Sequence, residues 1–103
     1  MTENIVTAQL QLAVLGEGDD SLSRYISTAV KALDERNVQY QVCPMGTAIQ
    51  AQSIDEIFDA CKAAHEAVLD MGVNRVLTNI TIDHRLQGCK GLDEKVQSVK
   101  LKL

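Results

Sequence analysis

Residues 5–15, Ile-Val-Thr-Ala-Gln-Leu-Gln-Leu-Ala-Val-Leu, alternate with a period of two. Val6, Ala8, Leu10, Leu12 and Val14 leave the chain on one side, and Ile5, Thr7, Gln9, Gln11 and Ala13 on the other. Successive side chains of a strand point to opposite faces, so this segment is a strand with one apolar face and one largely polar face. Such a strand asks for a covering layer on one side only.

The rest of the chain supplies that layer. Gly16-Glu17-Gly18-Asp19-Asp20 ends the first strand as a loop. Asp20 or Ser21 can cap a helix in which Leu22, Tyr25, Ile26, Ala29, Val30 and Leu33 recur at helical spacing. That helix is expected to run to about Glu35, with Asn37 as a left-handed stop. Val38–Cys43 reads as a second strand with Tyr40 and Val42 on one face. Pro44 removes a backbone donor and Gly46 frees the backbone, so Thr47–Gln52 either continues the strand past a bulge or forms the far arm of a hairpin. Ser53-Ile54-Asp55-Glu56 is a capping box, in which the serine hydroxyl accepts an orphan N–H and the glutamate reaches back. Ile54, Ile57, Phe58, Cys61, Ala64, His65 and Val68 then share one helical face, and Gly72 suits the position just past the helix. Arg75–Arg85 is a last long strand, with Val76, Thr78, Ile80 and Ile82 against Leu77, Asn79, Thr81 and Asp83. Leu92, Val96 and Val99 suggest a short terminal helix with a Lys-rich end. The order βαββαβ, with that appendage, predicts an α+β ferredoxin-like sandwich: an antiparallel sheet with two helices on one face.

Length and composition narrow the function. The 103 residues suffice for one domain, 1–103, with one core, and chains this short are often helped by self-association. Only 3% are aromatic, so Val, Ile, Leu and Ala must build the core. A net charge of −4, with basic residues scattered apart from a loose set at Lys90, Lys95, Lys100 and Lys102, argues against nucleic acid as a partner. Cys43, Cys61 and Cys89 are odd in number and form no C-x-x-C, which fits reduced thiols in a cytosol better than a disulfide framework or a zinc site. The best apolar stretch, 5–15, is interrupted by Gln9 and Gln11, so neither a signal peptide nor a membrane span is expected, and the location read from this is cytoplasmic.

Catalytic constellations are weak. His65 lies on or beside the apolar face of its helix and reads as a packed residue. Asp83 and His84 are strand neighbours and face opposite sides, so they form no ready dyad. Asp19-Asp20-Ser21 lacks the spacing of a calcium loop, Gly16-x-Gly18 falls short of a phosphate loop, and no metal site is predicted. Cys43 reads as an inert thiol near the polar sheet face, and Arg75 and Arg85, which flank the last strand, read as surface ion-pairing residues. The polar face itself is more informative. Thr7, Gln9 and Gln11 share it with Asn79, Thr81 and Asp83, and it is rich in amides and hydroxyls where a solvated face would carry more Lys and Glu. Such a surface suits burial against a second subunit or around a small polar ligand. The plain alternative is that these side chains face water.

Several strings resemble one known family. These are Ser21-Leu22-Ser23-Arg24-Tyr25, Tyr40-Gln41-Val42-Cys43-Pro44-Met45-Gly46-Thr47, Asp55-Glu56-Ile57, His65-Glu66, Gly72-Val73-Asn74-Arg75-Val76, Asp83-His84-Arg85 and Lys95-Val96-Gln97-Ser98-Val99. In order and over nearly the whole chain they resemble the small stand-alone thiamine-binding proteins. The resemblance implies a ferredoxin-like fold, dimers or tetramers assembled through the sheets, and thiamine or its hydroxymethylpyrimidine part bound without chemistry. The chain departs from the family pattern at Gln50-Ala51-Gln52, where a Glu-Gly pair is common, at Thr81, where Lys is frequent, and at Gly16-Glu17, where Pro occurs. The site implied is the open sheet face near a subunit interface. Gln9, Gln11, Asn79, Thr81 and Asp83 would supply hydrogen bonds, Asp83 would favour a cationic thiazolium, and Met45 and Thr47 would line the edge. No cofactor beyond that ligand is expected. Two further readings stand beside this one: a structural or regulatory oligomerisation domain whose polar face only seals an assembly, and a small enzyme with His65 or His84 as its base.

Overall fold

The computed structural model of the chain describes residues 4–16 and 22–103. The proposed caps Asp20 and Ser21, and the Asp19-Asp20-Ser21 stretch, lie outside those residues. Seven elements follow in order: β1 (Val6–Val14), α1 (Ser23–Asp34), β2 (Gln39–Cys43), β3 (Gly46–Ala51), α2 (Ile54–Leu69), β4 (Val76–His84) and α3 (Leu92–Lys100). The four strands form one antiparallel sheet in the order β2-β3-β1-β4, the ferredoxin-like arrangement. The choice left open at Pro44 resolves as a hairpin. Cys43 pairs with Gly46 across the two-residue turn Pro44-Met45, where the fixed φ of proline suits the first turn position.

The alternation in β1 sorts the sheet as expected. Val6, Ala8, Leu10 and Leu12 are buried under α1 and α2 with Tyr25, Ala29, Leu33, Ile49, Ala51, Ile57, Ala60, Cys61, Ala64 and Val68. Each fully buried Leu or Ile in this set contributes roughly 1.5–3 kcal/mol relative to exposure. Burial also pushes the Cys61 thiol up to about 11, which keeps it neutral in the core. Tyr40, on the same side of β2, donates its hydroxyl to Asp34 at 3.0 Å and so ties the edge strand to the end of α1.

The caps of α2 explain its start. The backbone N–H of Glu56 donates to Ser53 Oγ at 3.2 Å, and Glu56 Oε1 accepts from the backbone N–H of Gln52 at 3.0 Å. The glutamate thus reaches one residue further back than a standard capping box would place it. Gly72, at φ +88°, takes the left-handed turn past the helix end, where a side chain would be strained.

Four expectations need correction. Asn37 is not left-handed; among the described residues only glycines have positive φ, and the chain leaves α1 through a turn at Glu35 and Arg36. Phe58, placed on the buried face of α2, is half exposed, because Ala60 and Cys61 occupy the contact instead. Ile54 also lies at the rim of the core. The polar sheet face is not wholly uncovered. α3, which has no buried residue of its own, lies across one end of it and touches β3.

Candidate functional site

The register places the polar face in rows that cross the sheet. One row is Gln41, Ala48, Gln9 and Thr81; the next towards α3 is Gln39, Gln50, Thr7 and Asp83; on the other side Gln11 pairs with Asn79. Opposed side chains in such rows lie about 5 Å apart and successive rows roughly 7 Å apart. Gln9, Gln11, Asn79 and Thr81 are exposed, and the rows they occupy carry no charge. Together they offer three amides and a hydroxyl, hence both donors and acceptors.

Two contacts order the hairpin end of this array. Gln11 Nε2 donates to the Met45 carbonyl at 2.9 Å, which holds the amide against the Pro44-Met45 turn. Gly46 allows Gln9 and Gln11 to lean over β3, because a Cβ there would stand 2.7 Å from Gln9 Nε2 and 3.2 Å from Gln11 Cγ.

The α3 end differs. Gln50 Oε1 accepts from the backbone N–H of Leu92 at 2.8 Å, and Glu94 Oε1 accepts from that of Gly91 at 3.2 Å. Gly91 has no side chain with which to cap α3, so an amide from the sheet does it. A Cβ at Gly91 would meet Gln50 Oε1 at 2.5 Å, which explains the glycine. Within the Gln50-Ala51-Gln52 stretch, Gln50 therefore has a structural role, the docking of α3. Asp83 is joined by Lys95 of α3 at 2.5 Å, and this partner, chiefly through the hydrogen bond, holds the carboxyl below its ordinary 3.8. Thr7, in the same row, is buried.

The seven residues expected to form the site thus fall into three groups. Gln9, Gln11, Asn79 and Thr81 come together on the open part of the face. Asp83 shares the face but is engaged by Lys95. Thr47 does not belong to it: it pairs with Leu10 and Val42, so its side chain faces the helix layer. With Met45 it lines a mainly apolar hollow of about 290 Å³ bordered by Leu10, Leu12, Leu22 and Ile26. A larger hollow, about 790 Å³, lies at the β2 edge beside Arg36, Asn37 and Gln52, bordered by Gln39 and Gln50 and not by Gln9, Gln11, Asn79 or Thr81. Gln50 as the anchor of α3 and Lys95 as the partner of Asp83 carry no sequence motif of their own. Only Gly91, a helix start without a capping side chain, signalled that a cap must come from elsewhere.

The two histidines lie apart, in different elements. His65 Nδ1 lies 2.6 Å from Thr78 Oγ1 between α2 and β4. His84 sits in register with Val6, on the side opposite Asp83. No cluster among the described residues would hold a metal ion, and no helix of theirs is long and apolar enough to cross a membrane.

Comparison with known proteins bears on the family and the fold. A family profile described as thiamine-binding protein matches residues 8–100. A UPF0045 protein of Methanothermobacter thermautotrophicus is 46% identical over 99 residues, which span 96% of this chain and 100% of that relative. Among solved structures, a hypothetical protein of Methanocaldococcus jannascii is similar with a TM-score of 0.85 and 29% identity, over 94% of this chain and 97% of that one. A candidate thiamine biosynthesis/salvage protein of Thermotoga maritima shares the fold, with a TM-score of 0.77 at 23% identity over 92% of this chain and 98% of that one.

Proposed function

Since the chain belongs to the thiamine-binding protein family, we propose that it is a cytoplasmic binding protein for thiamine or its hydroxymethylpyrimidine part and performs no chemistry on it. The observation that carries this reading is the uncharged array of Gln9, Gln11, Asn79 and Thr81 on the open sheet face. An aminopyrimidine presents a row of edge donors and acceptors, and amides and hydroxyls can match both. A charged face would favour water over such a ring, whereas amides that face a ligand lose little when it replaces water.

Oligomerisation belongs to the same reading. Leu77, on the open face, and Val96, Val99 and Leu101 in and beside α3 are exposed. Apolar groups around a polar centre suit a subunit interface that closes over a ligand. The same groups favour a second reading, a dimer or tetramer whose polar face is only sealed.

Calorimetric titration with thiamine and with hydroxymethylpyrimidine, on protein whose mass is fixed by light scattering, tests both readings. Binding of about one ligand per chain, weakened roughly tenfold or more by Asn79→Ala or Gln9→Ala, is expected for the ligand reading. No heat with either compound, from a folded oligomer, selects the sealed interface.

A further inference from the structure

Thr7, Asp83, Arg85, Gly88, Lys90 and Lys95 border a cavity of about 230 Å³ on the open face, directly beyond the Gln9–Thr81 row. Three cations stand there against one carboxylate, in a chain whose net charge is −4. Lys95 is taken by Asp83. Lys90 Nζ donates to Ser98 Oγ at 3.1 Å, and Arg85 Nη1 reaches the Gly88 carbonyl only at 3.4 Å. Among the described residues neither Arg85 nor Lys90 has a carboxylate within ion-pair distance. A cationic thiazolium would meet three cations here, and the one carboxylate of the cavity lining is already held by Lys95 and by the charge of Arg85.

We infer that this cavity is an anion subsite, and that the ligand of the open face is a phosphomonoester whose heterocycle lies on the Gln9 and Gln11 rows while its phosphate sits between Arg85 and Lys90. The inference rests on the small-molecule reading for the heterocycle, but the anion subsite stands on the cavity and its charges alone. The geometry suits it. The Thr7–Asp83 row lies roughly 7 Å from the Gln9–Thr81 row and roughly 13 Å from Gln11–Asn79, the span from a ring to a phosphate carried on a short arm. Arg85 supplies a forked guanidinium and Lys90 a point charge, the usual pair of phosphate donors. Thr7 adds a hydroxyl at the floor of the cavity.

Two titrations test this. In the first, thiamine and thiamine monophosphate, and hydroxymethylpyrimidine and its phosphate, are compared by calorimetry at low and at high salt. The phosphorylated form of at least one pair is expected to bind about tenfold tighter at low salt, with an advantage that shrinks as salt screens it. Arg85→Gln with Lys90→Gln is expected to abolish the difference between the two forms. Equal or weaker binding of both phosphates, or an advantage that survives the double variant, overturns the inference. In the second, inorganic phosphate alone is followed through the backbone amide shifts of residues 85–91. Saturable shifts that vanish in the double variant support the subsite even if no heterocycle binds, an outcome that would sink the thiamine reading and leave the anion site. Absence of phosphate-dependent shifts overturns the site itself. Both substituted side chains are exposed, and the fold of the variant is checked by its unfolding midpoint.

Discussion

β1 has two faces, and they obey different rules. On one, Val6, Ala8, Leu10 and Leu12 are closed under α1 and α2, and nearly every contact is aliphatic. On the other, Gln9 and Gln11 are exposed, Thr7 is buried, and no aliphatic side chain of β1 larger than Ala13 takes part. The first face answers to the chain itself, because dense packing leaves little freedom in residue size. The second is not needed to close the core, yet it is not composed like a surface that only meets water. Its composition points to something outside one chain.

The sharpest way to break this comparison is to truncate one residue on each side of the sheet. Ile57→Ala removes a fully buried side chain from the helix layer and is expected to cost about 2–5 kcal/mol of unfolding free energy. Gln9→Ala on the open face is expected to stay within about 0.5 kcal/mol. Urea unfolding measures both, and an unchanged denaturant slope shows that the two states are still being compared. A loss from Gln9→Ala as large as that from Ile57→Ala would mean that the open face is packed and the contrast is wrong.

The next effect sharpens the boundary between the two ends of the open face. Gln50→Ala removes the acceptor of the Leu92 N–H, with an expected cost of about 1 kcal/mol, as for other lost caps. The damage should be local: amide hydrogen exchange should accelerate in Leu92–Lys95 while the Ile57 and Ala60 amides of α2 keep their protection. Uniform acceleration across the chain would instead make α3 part of the global core.

How much of this could be read from the residues follows from the range of each interaction. The strand at residues 5–15, the Ser53 cap, the glycine at 72 and the facing of residues 76–83 are local patterns, and the structure follows them. The βαββαβ order then leaves few sheet topologies. Asn37 and Phe58 misled because propensity and helical spacing are weak beside packing. The site was legible as a face but not as a site. That Gln9, Gln11, Asn79 and Thr81 share it follows from period-two alternation alone. The Gln50–Leu92 bond joins residues 42 apart in sequence, and the Asp83–Lys95 pair depends on where α3 docks. Nothing near Gln50 in sequence announces either contact. Thr47 was misplaced for a simpler reason: the hairpin at Pro44-Met45 was unresolved, and the parity of the strand after it, hence its facing, depended on that turn.

A smaller effect probes the hairpin end. Gly46→Ala would place a Cβ 2.7 Å from Gln9 Nε2. The clashing atom is the tip of a flexible side chain, so the fold is expected to tolerate the change within about 0.5 kcal/mol, whereas ligand affinity should fall because Gln9 must swing aside. Calorimetry alongside urea unfolding separates the two, and a variant that unfolds early without any change in binding would place Gly46 in the fold and not in the site.

The smallest effect is electrostatic and belongs to the α3 end. The Asp83 carboxyl is held below its ordinary 3.8, first by its hydrogen bond to Lys95 and then by the Lys95 charge. Because the folded value is the lower one, the pair contributes stability at pH above the ordinary carboxylate range, and that contribution is lost as pH falls through the lowered folded value. Both partners are substantially exposed, so the effect is slight and screened by salt. Asp83→Asn should therefore unfold marginally earlier than the parent near neutral pH and coincide with it in strong acid, and added salt should narrow the gap near neutrality. A gap that persists unchanged at pH 2 would mean that the aspartate contributes through its shape or packing and not through its charge.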